Sequence, residues 1–291
     1  MNDIEPPPQI TVWNWHWTKW LYNFWAWAQE HMSKDYGMQV ALGQETGVSN
    51  VTKFGRCSDN VDQNVQTDLW AGANAAYGDV VYVLPTAARI HSIVSTSTAD
   101  DDGSTGAYSV TVFGLTDWDT PEVSETVTLD GTNAQNTTNS YVIINRMFCN
   151  FGANTTAASN VGVITATAAT DGTVSAYILA GEGQTTQAIF GWPSTQSLYV
   201  TSAYVTIDRA VANTANAKIL FNANPDVQRF GFLEKDVWAA NSTGTTHSMK
   251  DYKKHPRKFS GPGILKVTAN GGANNMDVAG GFNGYLVTNQ T

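Results

Sequence analysis

The chain has 291 residues, 16 Lys/Arg against 25 Asp/Glu, a formal net charge of −9 and 14% charged residues, where a typical soluble domain has about 25%. At 42% hydrophobic and 11% aromatic it is too apolar for disorder and too acidic for a dedicated nucleic-acid binder. The length allows one or two domains, and Gly, Asn and Thr in short alternating runs indicate an all-β protein with a wide hydrogen-bonding surface.

Residues 1–9 (MNDIEPPPQ) form a lead in which Pro6-Pro7-Pro8 favours an extended polyproline segment. Its start lacks a basic region, so no signal peptide is expected. Six of the ten tryptophans follow at once: Trp13, Trp15, Trp17, Trp20, Trp25 and Trp27. Trp13, Trp15 and Trp17 alternate as a strand would. Trp13, Trp17, Trp20, Leu21, Phe24, Trp27 and Ala28 recur at spacings of three and four, and this longer match predicts a helix from about Asn14 to Ser33. Trp15, Tyr22 and Trp25 fall off that stripe. Each buried aromatic removes about 150–250 Å² from water, so the helix needs cover, either as a core helix or as an inter-subunit anchor through Trp13, Trp17, Trp20, Phe24 and Trp27. A membrane-surface helix would carry more Lys/Arg on its polar face. Asn14, His16, Lys19 and Asn23 also break the apolar run that a membrane span requires.

Residues 37–76 are rich in Gly, Asn and Ser with little periodicity and read as an extended arm or linker. From residue 77 to 291 the text reads as a β-sandwich or jelly-roll-like domain. Alternating runs such as Ala107–Gly114, Tyr141–Asn150, Ser197–Asp208 and Asp277–Thr288 are separated by turn signals at Asp102-Gly103, Asp130-Gly131, Asp171-Gly172, Gly271-Gly272 and Gly280-Gly281. With no helix between strands, the sheets should be antiparallel.

Chemistry-bearing patterns are sparse. Cys57 and Cys149 make neither a disulfide framework nor a zinc spacing and read as free thiols of a reducing cytosol, with one bridge across the long loop between them as the alternative. The five histidines form no metal motif, no nucleophile elbow or phosphate loop follows a strand, and no cofactor is expected. Asp100-Asp101-Asp102-Gly103 reads as a solvated turn or a cation loop. Lys250, Lys253, Lys254, Arg257 and Lys258 make a positive patch on an acidic chain, suited to an acidic neighbouring subunit and poorly to nucleic acid, because only Tyr252 and Phe259 could stack on bases. The acid pairs Asp117/Asp119 and Glu122/Glu125 could be read as glycosidase carboxylates, but any β protein carries such acids.

Five stretches have a familiar look. They are Leu69-Trp70-Ala71-Gly72-Ala73-Asn74, Glu125-Thr126-Val127-Thr128-Leu129-Asp130-Gly131-Thr132 with Tyr141-Val142-Ile143-Ile144-Asn145-Arg146, and Ile178–Thr185 with Leu198–Ser202. This text resembles a widespread group of uncharacterised β-rich structural proteins of tailed bacteriophages, common in aquatic phages, and residues 257–287 look like the end of the same domain. The likeness covers about three quarters of the chain and leaves out the Trp-rich segment. It implies a virion location, assembly in the host cytoplasm, no catalytic residues, and partners among the major capsid protein or other virion subunits. The expectation is a non-enzymatic cement or decoration protein, a homotrimer, that stabilises a capsid through added interface. The alternative is a tail or head fibre adhesin, with Trp118 or Trp192 stacking on host glycan. A tailspike enzyme ranks last, because no β-helix repeat is evident.

Overall fold

The computed structural model describes residues 15–32, 36–152, 156–208, 213–226, 231–241 and 246–289. The chain divides into two units, residues 1–50 and 51–291. The first holds helix α1 (Trp15–Met32) and the short α2 (Tyr36–Ala41). Helix α1 ends one residue inside each expected limit, and Trp13 and the Pro-rich lead lie outside the described residues.

The second unit is built from antiparallel sheets with two hydrophobic cores. One sheet of the first core runs β1 (Val48–Val61), β17 (Met276–Thr288), β11 (Gln196–Asp208), with β14 (His247–Asp251) and β15 (Arg257–Ser260) end to end along the far side of β11. The facing sheet runs β10 (Ile189–Trp192), β16 (Gly263–Gly271), β12 (Thr214–Asn222), β13 (Leu233–Asn241), and the two-residue β2 (Thr67–Asp68) extends β10's side of β16. Leu198, Val205 and Phe282 from one sheet and Ile219, Leu265 and Trp192 from the other fill the space between them. In β11 a bulge between Val200 and Ser202 shifts the inward set from even to odd positions, so Leu198, Val200, Ala203 and Val205 all face the core.

The second core belongs to residues inserted between β2 and β10. One sheet is β6 (Gln135–Asn136), β3 (His91–Ser95), β8 (Ile164–Ala168), β9 (Val174–Ile178), and the other is β5 (Val123–Thr128), β4 (Ser109–Leu115), β7 (Ile143–Asn150). Val110, Val112, Ile144 and Met147 pack against Ile93, Ile164, Ala166 and Ile178. The all-β class is the one the alternation indicated. One sandwich over residues 77–291 is replaced by two, the first assembled from chain on both sides of the second.

The expected arm over 37–76 is corrected in the same way. Its second half forms β1 and β2, and Leu69 and Trp70 are buried, with Trp70 edge-on against Tyr82 at 5.0 Å and Tyr177 at 5.6 Å. The period of two in β1 is masked in the sequence because Lys53 and Gly55 face inward beside Val51 and Cys57, while Phe54 faces out. Gly280-Gly281 is likewise no turn. It lies inside β17, where a Cβ on Gly281 would stand 2.0 Å from the Lys53 carbonyl oxygen, so the pair lets β1 approach closely.

Gly55 makes the same kind of contact. A Cβ there would lie 1.8 Å from the Leu69 carbonyl oxygen and 2.5 Å from the Ala188 nitrogen, both main-chain atoms that cannot turn aside. Gly55→Ala is therefore expected to cost at least about 3 kcal/mol in urea unfolding; an unchanged midpoint would mean that β1 does not lie against Leu69 and Ala188.

Candidate functional site

On α1, spacings of three and four bring side chains together on one face. Trp17 meets Trp20 edge-on at 5.4 Å, Trp20 stacks on Phe24 at 5.3 Å, and Phe24 stacks on Trp27 at 6.1 Å. Four of the five expected anchor residues thus form one continuous ladder, and the fifth, Trp13, lies outside the described residues. Tyr22 and Trp25, which fell off the sequence stripe, are the most exposed, at 74% and 63%. Between residues 17 and 27 the only charge is Lys19. The helix is therefore aromatic on more than one face, a condition met in water only by helices that become covered. None of the described helices is long and apolar enough to cross a membrane.

The expected basic patch is brought together by sheet pairing. Lys250 lies on β14, Arg257 and Lys258 on β15, and Lys253 and Lys254 in the turn between. Asp236 of β13 faces this group, 3.0 Å from Arg257 and 3.9 Å from Lys250, and accepts the Tyr252 hydroxyl. Partial burial pushes the Asp236 carboxyl up, but the Tyr252 and Val237 hydrogen bonds with the two cations outweigh it and hold it below the ordinary carboxylate range. Arg257 lies over the Tyr252 ring at 4.8 Å and Lys258 over Tyr199 at 5.8 Å. Beside them opens a groove of about 430 Å³ lined by Phe221, Phe259, Lys235, Arg257 and Lys258. Lys235 was not among the expected site residues; the meeting of the two sheets brings it beside residues 257–258, where Arg257 donates to its carbonyl oxygen at 2.5 Å.

The candidate cation loop is corrected. Asp100 is fully buried, and its carboxylate accepts four hydrogen bonds: from Ser95 Oγ at 2.7 Å, Ala107 N at 3.0 Å, Val161 N at 2.9 Å and Gly162 N at 2.8 Å. Its lone pairs tie three loops together and none is left for a metal. Asp101 and Asp102 remain on the surface, and among the described residues no group of three or more His, Cys, Asp or Glu could hold a metal ion. The acid pairs are similarly occupied. Asp117 caps its own turn through the Asp119 and Thr120 amides, and Glu125 accepts from Thr138 N, Asn139 N and the Tyr141 hydroxyl.

Two buried bases complete the inventory. His91 is fully buried, with Nε2 2.8 Å from Ser175 Oγ and Nδ1 2.9 Å from the Arg89 carbonyl oxygen; burial pushes its pKa down to about 4. Lys53 donates from Nζ to the Asn145 carbonyl oxygen, and burial, reinforced by Arg146, outweighs the Glu122 charge and brings it down to about 7. It lines a basin of about 260 Å³ with Arg146 and Gln187, whose Oε1 is an acceptor without a donor. An orphaned acceptor beside two cations gives that basin no single charge preference. Cys57 and Cys149 are free and buried, with burial pushing both thiols up to about 12, which leaves them poor nucleophiles. Trp118 and Trp192 are also in the core, at 6% and 0% exposure, so neither offers a sugar-stacking face. Comparison with family models, with curated proteins and with solved structures returns no match.

Because His91 is held neutral in the fold, the unfolded chain takes up a proton between about pH 6.5 and 4 that the native state refuses. Stability therefore falls as pH drops through that window, by up to about 3 kcal/mol once below it. Urea titrations at a series of pH values should show the wild-type slope steeper than that of His91→Gln by close to one proton; equal slopes would contradict a neutral buried imidazole.

Proposed function

We propose that the chain is a non-enzymatic structural subunit of a tailed-phage virion. In this reading it is a cement or decoration protein on the head that acts as a homotrimer, with α1 as the anchor buried against the major capsid protein or sibling subunits. The observation that carries the reading is the exposure of Tyr22 and Trp25 on a helix that already carries the Trp17–Trp27 ladder along one face. Covering those two side chains alone would contribute on the order of 5 kcal/mol gross, and repetition over a shell multiplies a modest contact into firm attachment. The phage-protein likeness of the β text supports the same reading. So does the use of buried acids, amides and bases in the β unit for cohesion, as at Asp100; the Ser175–His91 hydroxyl–imidazole contact is itself fully buried, with no exposure at either residue. The adhesin alternative loses its two nominated tryptophans to the core and would have to work through another surface.

Capsids of the encoding phage prepared without this chain are expected to take it up in hundreds of copies and to resist heat better. Tyr22→Ser/Trp25→Ser should lower the affinity more than about tenfold, corresponding to the 1.4 kcal/mol per decade of binding free energy. Uptake restricted to a few dozen copies at the tail would favour the adhesin, and no uptake at all would overturn the assembly reading.

A further inference from the structure

Charge is not spread evenly along the chain. Residues 91–178, the inserted sandwich, hold nine Asp/Glu and a single basic residue, Arg146. Residues 189–291, most of the other sandwich, hold ten Lys/Arg against six Asp/Glu. Among the described residues, the acids of 91–178 make one salt bridge, Asp171 with Arg89 at 3.5 Å, and Glu182 beyond them makes another with Arg56 at 2.7 Å. Asp101 and Asp130 form a bridge between adjacent turns, and Asp102 lies next to them, its amide donating to the Leu129 carbonyl. That end of the insertion is therefore an acidic tip.

The positive charge is concentrated where the sheets end. Among the described residues, strand β13 pairs only with β12 and β14 only with β11, which leaves two neighbouring edges open there. Such edges pair with other chains unless they are blocked. Apolar side chains stand out from them: Leu233 is 59%, Val237 46% and Met249 55% exposed. Around these lie six Lys/Arg within residues 233–258, against three Asp/Glu, and Asp236 and Glu234 are already paired with Arg257 and Lys218. An apolar centre inside a charged rim is the anatomy of a protein interface, and the sign of the rim selects the partner.

We propose that the β13–β15 face docks onto the acidic inserted sandwich of a second copy of this chain. The chain carries the complementary charge itself, on a part of the second unit that does not line this face. Two different patches meeting in this way make a head-to-tail contact, which closes into a ring or propagates along a lattice according to its angle. The inference rests on the assembly reading but not on α1, and it assigns sideways contact between copies to the β unit. Electrostatic matching of this kind sets partner choice and encounter rate and weakens as salt screens it.

The test is sedimentation of the full chain across a salt series, with two charge reversals, Lys253→Glu/Lys254→Glu/Lys258→Glu and Asp102→Lys/Asp130→Lys. Wild-type self-association should weaken on the order of tenfold or more as salt rises from about 0.05 to 0.5 M. Each reversal alone should stay monomeric, and mixing the two should restore association, which a merely misfolded variant cannot do. Self-association should persist in Tyr22→Ser/Trp25→Ser, so loss of capsid binding there and loss of lateral contact here are separate failures. A wild-type monomer at low salt, salt-independent association, or a mixture that fails to rescue would overturn the proposal. It would equally fail if the lysine reversal abolished binding to duplex DNA while leaving self-association unchanged.

Discussion

The second unit depends on what happens at Asn145. Register along β4 and β7 shifts between Phe113–Arg146 and Gly114–Ile144, so Asn145 is the extra residue of a bulge, with its main-chain and side-chain polar groups turned out of the ladder. At 2% exposure these groups need partners. The carbonyl oxygen accepts from Lys53 of β1 and from Gln187 Nε2 at 3.1 Å. The side chain brackets Gly191 of β10, donating to its carbonyl at 2.9 Å and accepting its amide at 2.8 Å, and donates to Glu122 at 2.7 Å. One bulged residue thus fastens the inserted sandwich to both sheets of the other.

The same cohesive use recurs at the other buried polar groups. Lys53, a depressed amine beside a basin, is the kind of residue that invites a catalytic reading, yet its donor goes to the buried main-chain carbonyl of Asn145, which it shares with Gln187 Nε2. Asp68 and Lys266 pair at 2.7 Å where β2 meets β16, with Asp68 also accepting the Tyr82 amide at 2.7 Å. Asp100 closes loops and His91 bridges β3 to β9. With these interior groups committed to cohesion, the proposed contacts with other chains are drawn from α1 and the β13–β15 edges.

Periodicity made the aromatic helix and most long strands legible in the sequence, because in each the apolar side chains followed the period of the element. It failed where geometry placed unlike residues inside. Lys53 and Gly55 inverted the pattern of β1, and Gly280-Gly281 looked like a turn because a glycine needed for close approach is the same letter as one needed for a bend. In Asp100-Asp101-Asp102 nothing in the text distinguishes the first carboxylate, which turns inward, from its neighbours. The basic residues of 250–258 were visible as a patch, but their placement on two strands beside Lys235 came only from pairing with β11 and from the meeting of two sheets whose residues lie far apart in the chain. The two-sandwich division was hidden for the same reason, since both halves use similar Thr- and Val-rich strands.

The claim that Asn145 joins the two sandwiches is tested most directly by hydrogen exchange on the full chain and on Asn145→Ala. Removing the side chain leaves the Gly191 amide and the Glu122 carboxylate without their partner, a loss on the order of 2–4 kcal/mol. The account predicts that amides of β10 and β7 lose protection together, with Gly191 among the first, and that unfolding separates into two transitions. Unchanged protection at Gly191 together with a single unaltered transition would contradict it.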